Sequence, residues 1–118
     1  MSSRNYSDLI AWQRAMDFVI VVYKLTGKFP SDERFALTSQ LRRCSVSVPS
    51  NIAEGEGRFS KADFKRFLSI AHGSLREAET QLMVASRLKY IDQESLHSAL
   101  ELASEVGRLI RGLAKSLD

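Results

Sequence analysis

Apolar residues recur along this chain at the three- and four-residue spacing of amphipathic helices, and no stretch alternates as a strand would. From Leu9 to about Lys28, the residues Leu9, Trp12, Met16, Val19, Ile20 and Tyr23 fall on one helical face and predict a core stripe. A second set, Ala11, Ala15, Phe18, Val22 and Leu25, lies on nearly the opposite side, leaving a narrow polar strip through Gln13, Arg14, Asp17 and Lys24. A helix that is apolar on two sides is buried on two sides. In so small a bundle the second set is expected to face another subunit, which makes Ala11, Ala15, Phe18, Val22 and Leu25 the expected oligomer interface.

Gly27 and Phe29-Pro30-Ser31 are expected to end this helix. The second helix is predicted from Arg34 or Phe35 to Glu54, with Leu37, Leu41, Cys44, Val48 and Ile52 on its apolar arc. Pro49 interrupts it. A proline there removes one backbone hydrogen bond and costs roughly 3 kcal/mol unless compensated. Ser45, Ser47 and Ser50 can offer hydroxyls to freed carbonyls, so a kinked helix is predicted, with Gly55 and Gly57 as its stop. Ser60 caps a third helix, with Asp63 as an approximate capping box. Its stripe of Phe64, Phe67, Leu68, Ala71, Leu75, Ala78, Leu82, Ala85 and Leu88 keeps near a seven-residue repeat, and close approach of a neighbour is expected at Ala71, Gly73 and Ala78. Asp92 caps the last helix, predicted from about Gln93 to Ser116. The expected fold is all-α: an antiparallel up-down-up-down four-helix bundle with a Pro-kinked second helix, one domain over 8–118. Asp8 reads as a cap or first-turn acid, after a loosely ordered leader over 1–7.

Composition narrows the class. A chain of 118 residues can bury roughly two-thirds of its unfolded surface and needs no disulfide framework. The single cysteine, Cys44, reads as a small buried hydrophobe. No secretory signal and no run of about 20 apolar residues is present, so a soluble cytoplasmic protein is expected. The formal charge of +3 permits an acidic partner without requiring one.

Chemical motifs are mostly missing. A di-iron bundle needs Glu-x-x-His on two helices, whereas His72 has no Glu three residues before it and only His97 has one, Glu94, itself explained by its place at a helix start. Gly55-Glu56-Gly57 lacks the Lys-Ser/Thr of a phosphate loop, and no serine has an evident His and acid. No metal, cofactor, small-molecule substrate or enzymatic activity is expected.

Two constellations remain. Asn51 projects into the apolar arc, and leaving a buried amide unpaired costs roughly 1 to 3 kcal/mol. Glu79, Thr80 and Gln81 are its expected partners, so Asn51, Glu79 and Gln81 form an expected network that fixes helix register, a ligand pocket being the alternative. The second is the turn from Arg58 to Arg66, where Arg58, Lys61, Lys65 and Arg66 interleave with Phe59 and Phe64. An up-down bundle adds Arg4, Arg108, Arg111 and Lys115 to that end, a basic face that repeated around a ring could track phosphates. The alternative is a solvated face partly neutralised by Glu54, Glu56 and Asp63. Arg42 and Arg43 lie outside the core stripe and are expected to pair with acids between helices or subunits.

The stretches SQLRRCSVSVPSNIAEGEGR, DLIAWQRAMD, YKLTGKFP and GSLREAETQL closely resemble the S23, or 23S rRNA intervening-sequence, proteins, and the resemblance spans almost the whole chain. It implies a four-helix bundle, commonly a homo-oligomeric ring of five subunits, encoded within ribosomal RNA insertions or by a stand-alone bacterial gene. Distant relatives are basic accessory proteins of retroelements that bind reverse transcriptase and nucleic acid. This chain is less basic than those relatives. A non-enzymatic interaction module with RNA, DNA or a ribonucleoprotein as partner is the expectation, and a protein-only scaffold is the rival.

Overall fold

The structure, a computed structural model, describes residues 5–118. Four helices make up most of it: α1 (Ile10–Thr26), α2 (Leu37–Glu56), α3 (Lys61–Arg87) and α4 (Gln93–Ser116), with no strand among the described residues. Helices α1 and α3 each pack against both α2 and α4, and neither diagonal pair makes comparable contact, so the four surround one core.

Local chemistry explains most helix ends. Ser60 Oγ accepts from the Asp63 amide at 3.1 Å, and Asp92 Oδ1 accepts from the Ser95 amide at 2.7 Å, so both expected caps are in place. The bonds from Ser95 also hold the Asp92 carboxyl below its ordinary range. Helix α3 ends in a Schellman motif, in which the Tyr90 amide reaches Ala85 O at 2.9 Å and the Lys89 amide reaches Ser86 O at 3.0 Å. Lys89 takes the left-handed position of that motif, with φ 69°, where glycine is usual. Beside it, Tyr90 Oη donates to Glu33 Oε2 at 2.8 Å and its ring meets Phe29 at 5.3 Å, which ties the α1–α2 connection to the α3–α4 connection.

Other ends differ from expectation. Asp8 does not cap α1. It closes a preceding turn in which Asn5 Oδ1 accepts from the Ser7 amide at 2.7 Å and the Asn5 amide donates to Asp8 at 3.3 Å. The Tyr6 ring packs edge-on to Trp12 at 5.3 Å. Residues 5–7 of the expected leader take part in this turn, and Met1–Arg4 lie outside the described residues. Helix α2 starts at Leu37, later than expected, because Ala36 leaves helical geometry (φ −123°, ψ −105°) and Glu33 Oε1 takes the Leu37 amide at 3.3 Å. It then runs without interruption through the buried Pro49 to Glu56. The carbonyl that Pro49 leaves unpaired is that of Ser45. None of the three serines turns to it: Ser45 Oγ donates to Arg42 O at 2.8 Å and Ser47 Oγ pairs with Ser74 Oγ at 2.9 Å.

Gly55 is not a stop either; Gly57 is the C-cap. Gly55 is buried, and a Cβ there would lie 2.7 Å from Phe67 Cβ and 3.0 Å from Phe64 Cδ1, so only glycine lets α2 approach α3 this closely. Gly73 faces open space and makes no such approach, and a Cβ at Gly107 would meet Leu75 at an ordinary 3.5 Å.

The largest correction concerns α1. Ala11, Ala15, Phe18 and Val22, expected at a subunit interface, are buried in the chain's own core, and Leu25 packs partly buried against it. Met16, Ile20 and Tyr23, expected inside, are exposed, Ile20 by 52 %. Two apolar stripes with equal periodicity gave no basis for choosing a face by hydrophobicity alone. Packing makes the choice: the centre is crowded by Leu41, Ile52, Leu68, Leu75, Leu82 and Ile110, and small residues such as Ala11 and Ala15 let α1 close on them.

Candidate nucleic-acid interface

The basic segment after α2 is built on one buried ring. Phe67, inward-facing on the first turns of α3, carries the Arg58 guanidinium at 4.7 Å and the Arg66 guanidinium at 4.6 Å from its centroid. Arg58 reaches it from the end of α2 and Arg66 from the preceding position of α3. Phe59, between α2 and α3, is fully exposed.

Acids are close to most of these cations. Arg58 pairs with Glu54 at 3.0 Å, Arg66 with Asp63 at 3.5 Å, and Lys65 with Asp118 at the far end of the chain. All three pairs are solvent-exposed, where such contacts contribute roughly 0 to 1 kcal/mol and exchange readily. Among the described residues, Lys61 and Lys115 have no acid within pairing distance, and Arg108 donates to Ser104 Oγ at 2.9 Å. Arg111 is turned to α3, where it donates to His72 Nε2 at 3.0 Å. That bond requires a neutral ring with its proton on Nδ1. Burial, with Arg76 and Arg111 nearby, holds the His72 pKa below its ordinary 6.5. Lys65 against Asp118 brings the α4 end to the α3 start, while Arg108 and Arg111 bond to Ser104 and His72; Arg4 lies outside the described residues.

The expected register network is not the one present. Asn51 Nδ2 donates to Ser47 O at 2.8 Å and to Ser47 Oγ at 2.9 Å, and Ser47 carries the link to Ser74 on α3. Glu79 instead accepts from Arg76 at 3.0 Å, and Gln81 Oε1 is buried without a partner. Hydroxyls reach across α2 and α3 where longer polar side chains were expected.

Sequence reasoning missed a second basic region, at the start of α2. Arg42 stacks on Tyr23 at 4.5 Å and donates Nε to Thr26 Oγ1 at 2.8 Å, and Arg34 lies over Phe35 at 5.4 Å. Tyr23, Arg34, Phe35, Arg42 and Arg43 line a groove of about 530 Å³. An adjoining cleft holds Cys44, whose thiol is pushed up to about 12, chiefly by burial and then by the neighbouring Glu77 carboxylate, which disfavours the thiolate. The available signal was a run of arginines beside exposed-face aromatics without acids at helical spacing. Among the described residues, no cluster of three or more His, Cys, Asp or Glu side chains could hold a metal, and no helix is long and apolar enough to cross a membrane.

Residues 7–112 match the family described as 23S rRNA-intervening sequence protein. The chain belongs to that family. A crystal structure from the same group, a protein of unknown function from the S23 ribosomal protein family of Bacteroides thetaiotaomicron, shares this intervening-sequence fold with a TM-score of 0.83. The two are 26 % identical, over 90 % of this chain and 96 % of that one. No curated protein matches this intervening-sequence family member.

Proposed function

We propose that this protein is a non-enzymatic cytoplasmic module that assembles with copies of itself, as a ring of five, and binds nucleic acid or a ribonucleoprotein through the turn between α2 and α3. The observation carrying the binding reading is the double stack on Phe67. It holds the Arg58 and Arg66 guanidinia at fixed surface positions, beside the exposed Phe59 and the acid-free Lys61. The partnering acids Glu54 and Asp63 are exposed, so a phosphate can replace them at little expense, and released counterions add to the gain.

Self-assembly is supported by the apolar strip that α1 leaves uncovered, Met16 and Ile20, beside a groove lined by Trp12, Pro49 and Ala53. The reading includes an antiparallel up-down course of the helices, supported by the contacts of Lys65 with Asp118 and of Arg14 with Glu105 at 3.0 Å, and a bend at Pro49. The apolar strip also suits a scaffold that binds only protein, the second reading.

Binding of labelled RNA and DNA is tested by titration at rising salt, with a charge-reversal variant of Arg58, Lys61, Lys65 and Arg66 alongside. Affinity falling steeply with salt, and lost in the variant, is the expected result; no binding at low salt leaves the scaffold reading. Light scattering tests the assembly: a monomer at micromolar concentration overturns it, and Ile20→Glu is expected to dissociate the ring.

A further inference from the structure

We infer that the groove at the start of α2 is a second nucleic-acid contact, one that takes an unpaired strand, with phosphates on Arg34, Arg42 and Arg43 and a base stacked on Phe35. It rests on the nucleic-acid reading above but not on the α2–α3 turn.

Three observations carry it. First, none of the three guanidinia has a carboxylate within pairing distance among the described residues, in contrast to Arg58 and Arg66. The nearby Glu33 is engaged elsewhere, accepting from the Leu37 amide at 3.3 Å and from Tyr90 Oη at 2.8 Å, and Glu77, which lines the adjoining cleft, forms no ion pair with Arg43. Second, the cations are held in place without acids. Arg42 is fixed by Tyr23 and Thr26, Arg43 donates to Ser39 Oγ at 3.4 Å, and Arg34 rests on Phe35. Third, Phe35 is 89 % exposed and borders both the groove and the adjoining cleft, so a ring face stands free between two recesses.

This combination selects its occupant. Guanidinia that form no ion pair call for an anion, and an exposed ring beside them calls for a planar apolar surface on the same ligand. A single strand offers both, because each unstacked base presents a π face next to its phosphate. In a duplex the bases stay stacked on one another and Phe35 has nothing to cover.

The test uses fluorescence anisotropy on the full chain, with a labelled single-stranded oligonucleotide and its duplex across a salt series. Phe35→Ala is expected to weaken single-strand binding about tenfold and leave duplex binding and the salt slope unchanged. The double variant Arg34→Glu, Arg43→Glu is expected to flatten the slope by about 0.7 per lost contact. Arg42 is left in place because it ties α2 to Thr26. All three altered side chains are exposed, so the fold is retained, which circular dichroism checks. Wild-type affinity in Phe35→Ala overturns the inference, as does a preference for duplex. So does a double variant that changes subunit number yet binds as wild type, which makes the groove a contact between copies. If the wild type binds no nucleic acid at low salt, the turn and the groove both fall. If only the Arg58, Lys61, Lys65 and Arg66 variant loses binding, the groove falls alone.

Discussion

Helix α2 carries arginines at both of its ends, and the two ends treat them differently. After its last turn, Arg58 and the neighbouring Arg66 each have an acid within a turn of helix, Glu54 and Asp63. Near its first turn, Arg34, Arg42 and Arg43 are steadied by aromatic rings and hydroxyls, while Glu33 is bonded to the Leu37 amide and Tyr90. Guanidinia are thus paired with acids at one end and unpaired at the other. Charge in the sequence therefore says little about charge presented to a partner until the position of each acid is known.

The contrast can be broken most forcefully at Gly55. Gly55→Ala places a Cβ against Phe67 and Phe64, and overpacking against near-backbone atoms is expected to destabilise by about 2 kcal/mol, read as a lower melting temperature. Hydrogen exchange should rise first around the α2–α3 turn and leave the start of α2 protected; uniform acceleration would mean that the two ends are not separable. A smaller change sharpens the contrast. Glu54→Gln with Asp63→Asn removes the acids beside Arg58 and Arg66 and is expected to raise affinity for nucleic acid several-fold at low salt, the gain vanishing as salt is added.

At the opposite end, Lys89→Gly relieves a side chain from the left-handed region and is expected to stabilise by about 1 kcal/mol in thermal or denaturant unfolding. Least in size is the effect of pH through His72. Its folded pKa lies below 6.5, so the unfolded chain binds the proton more readily and stability falls as pH drops below about 6.5. Protonation also removes the acceptor for Arg111, while Arg76 opposes the new charge and Glu79 favours it. His72→Gln should flatten the melting temperature between pH 5 and 7. Loss of stability through Asp92 comes lower, as pH falls below the ordinary carboxylate range.

Much of the fold was legible because it rests on near neighbours. Ser60 and Asp92 cap helices by bonds three residues long, and the spacing of Leu68, Leu75 and Leu82 names one face of α3 without help from other helices. What failed depends on partners far along the chain. Both stripes of α1 are equally periodic, and only the crowding at Leu41, Ile52 and Ile110 decides that Ala15 and Phe18 go inside. Asn51 found Ser47 and, through it, Ser74, because hydroxyl-sized groups fit between α2 and α3. Lys65 meets Asp118 across 53 residues, and that Arg42 bonds Thr26 and stacks on Tyr23 where an acid was expected required knowing how α1 and α2 pack.

The close seat of Gly55 on Phe67 also bears on the order in which the protein folds. It joins residues twelve positions apart in a hairpin of two helices, so the chain entropy lost in forming it is small. The contact of Arg14 with Glu105 spans 91 residues and closes only when α1 and α4 have been brought together. Kinetic φ-values near Ile52 and Leu68 are thus expected to exceed those at Ala15 and Val106, with α2 and α3 serving as the nucleus onto which the outer helices condense.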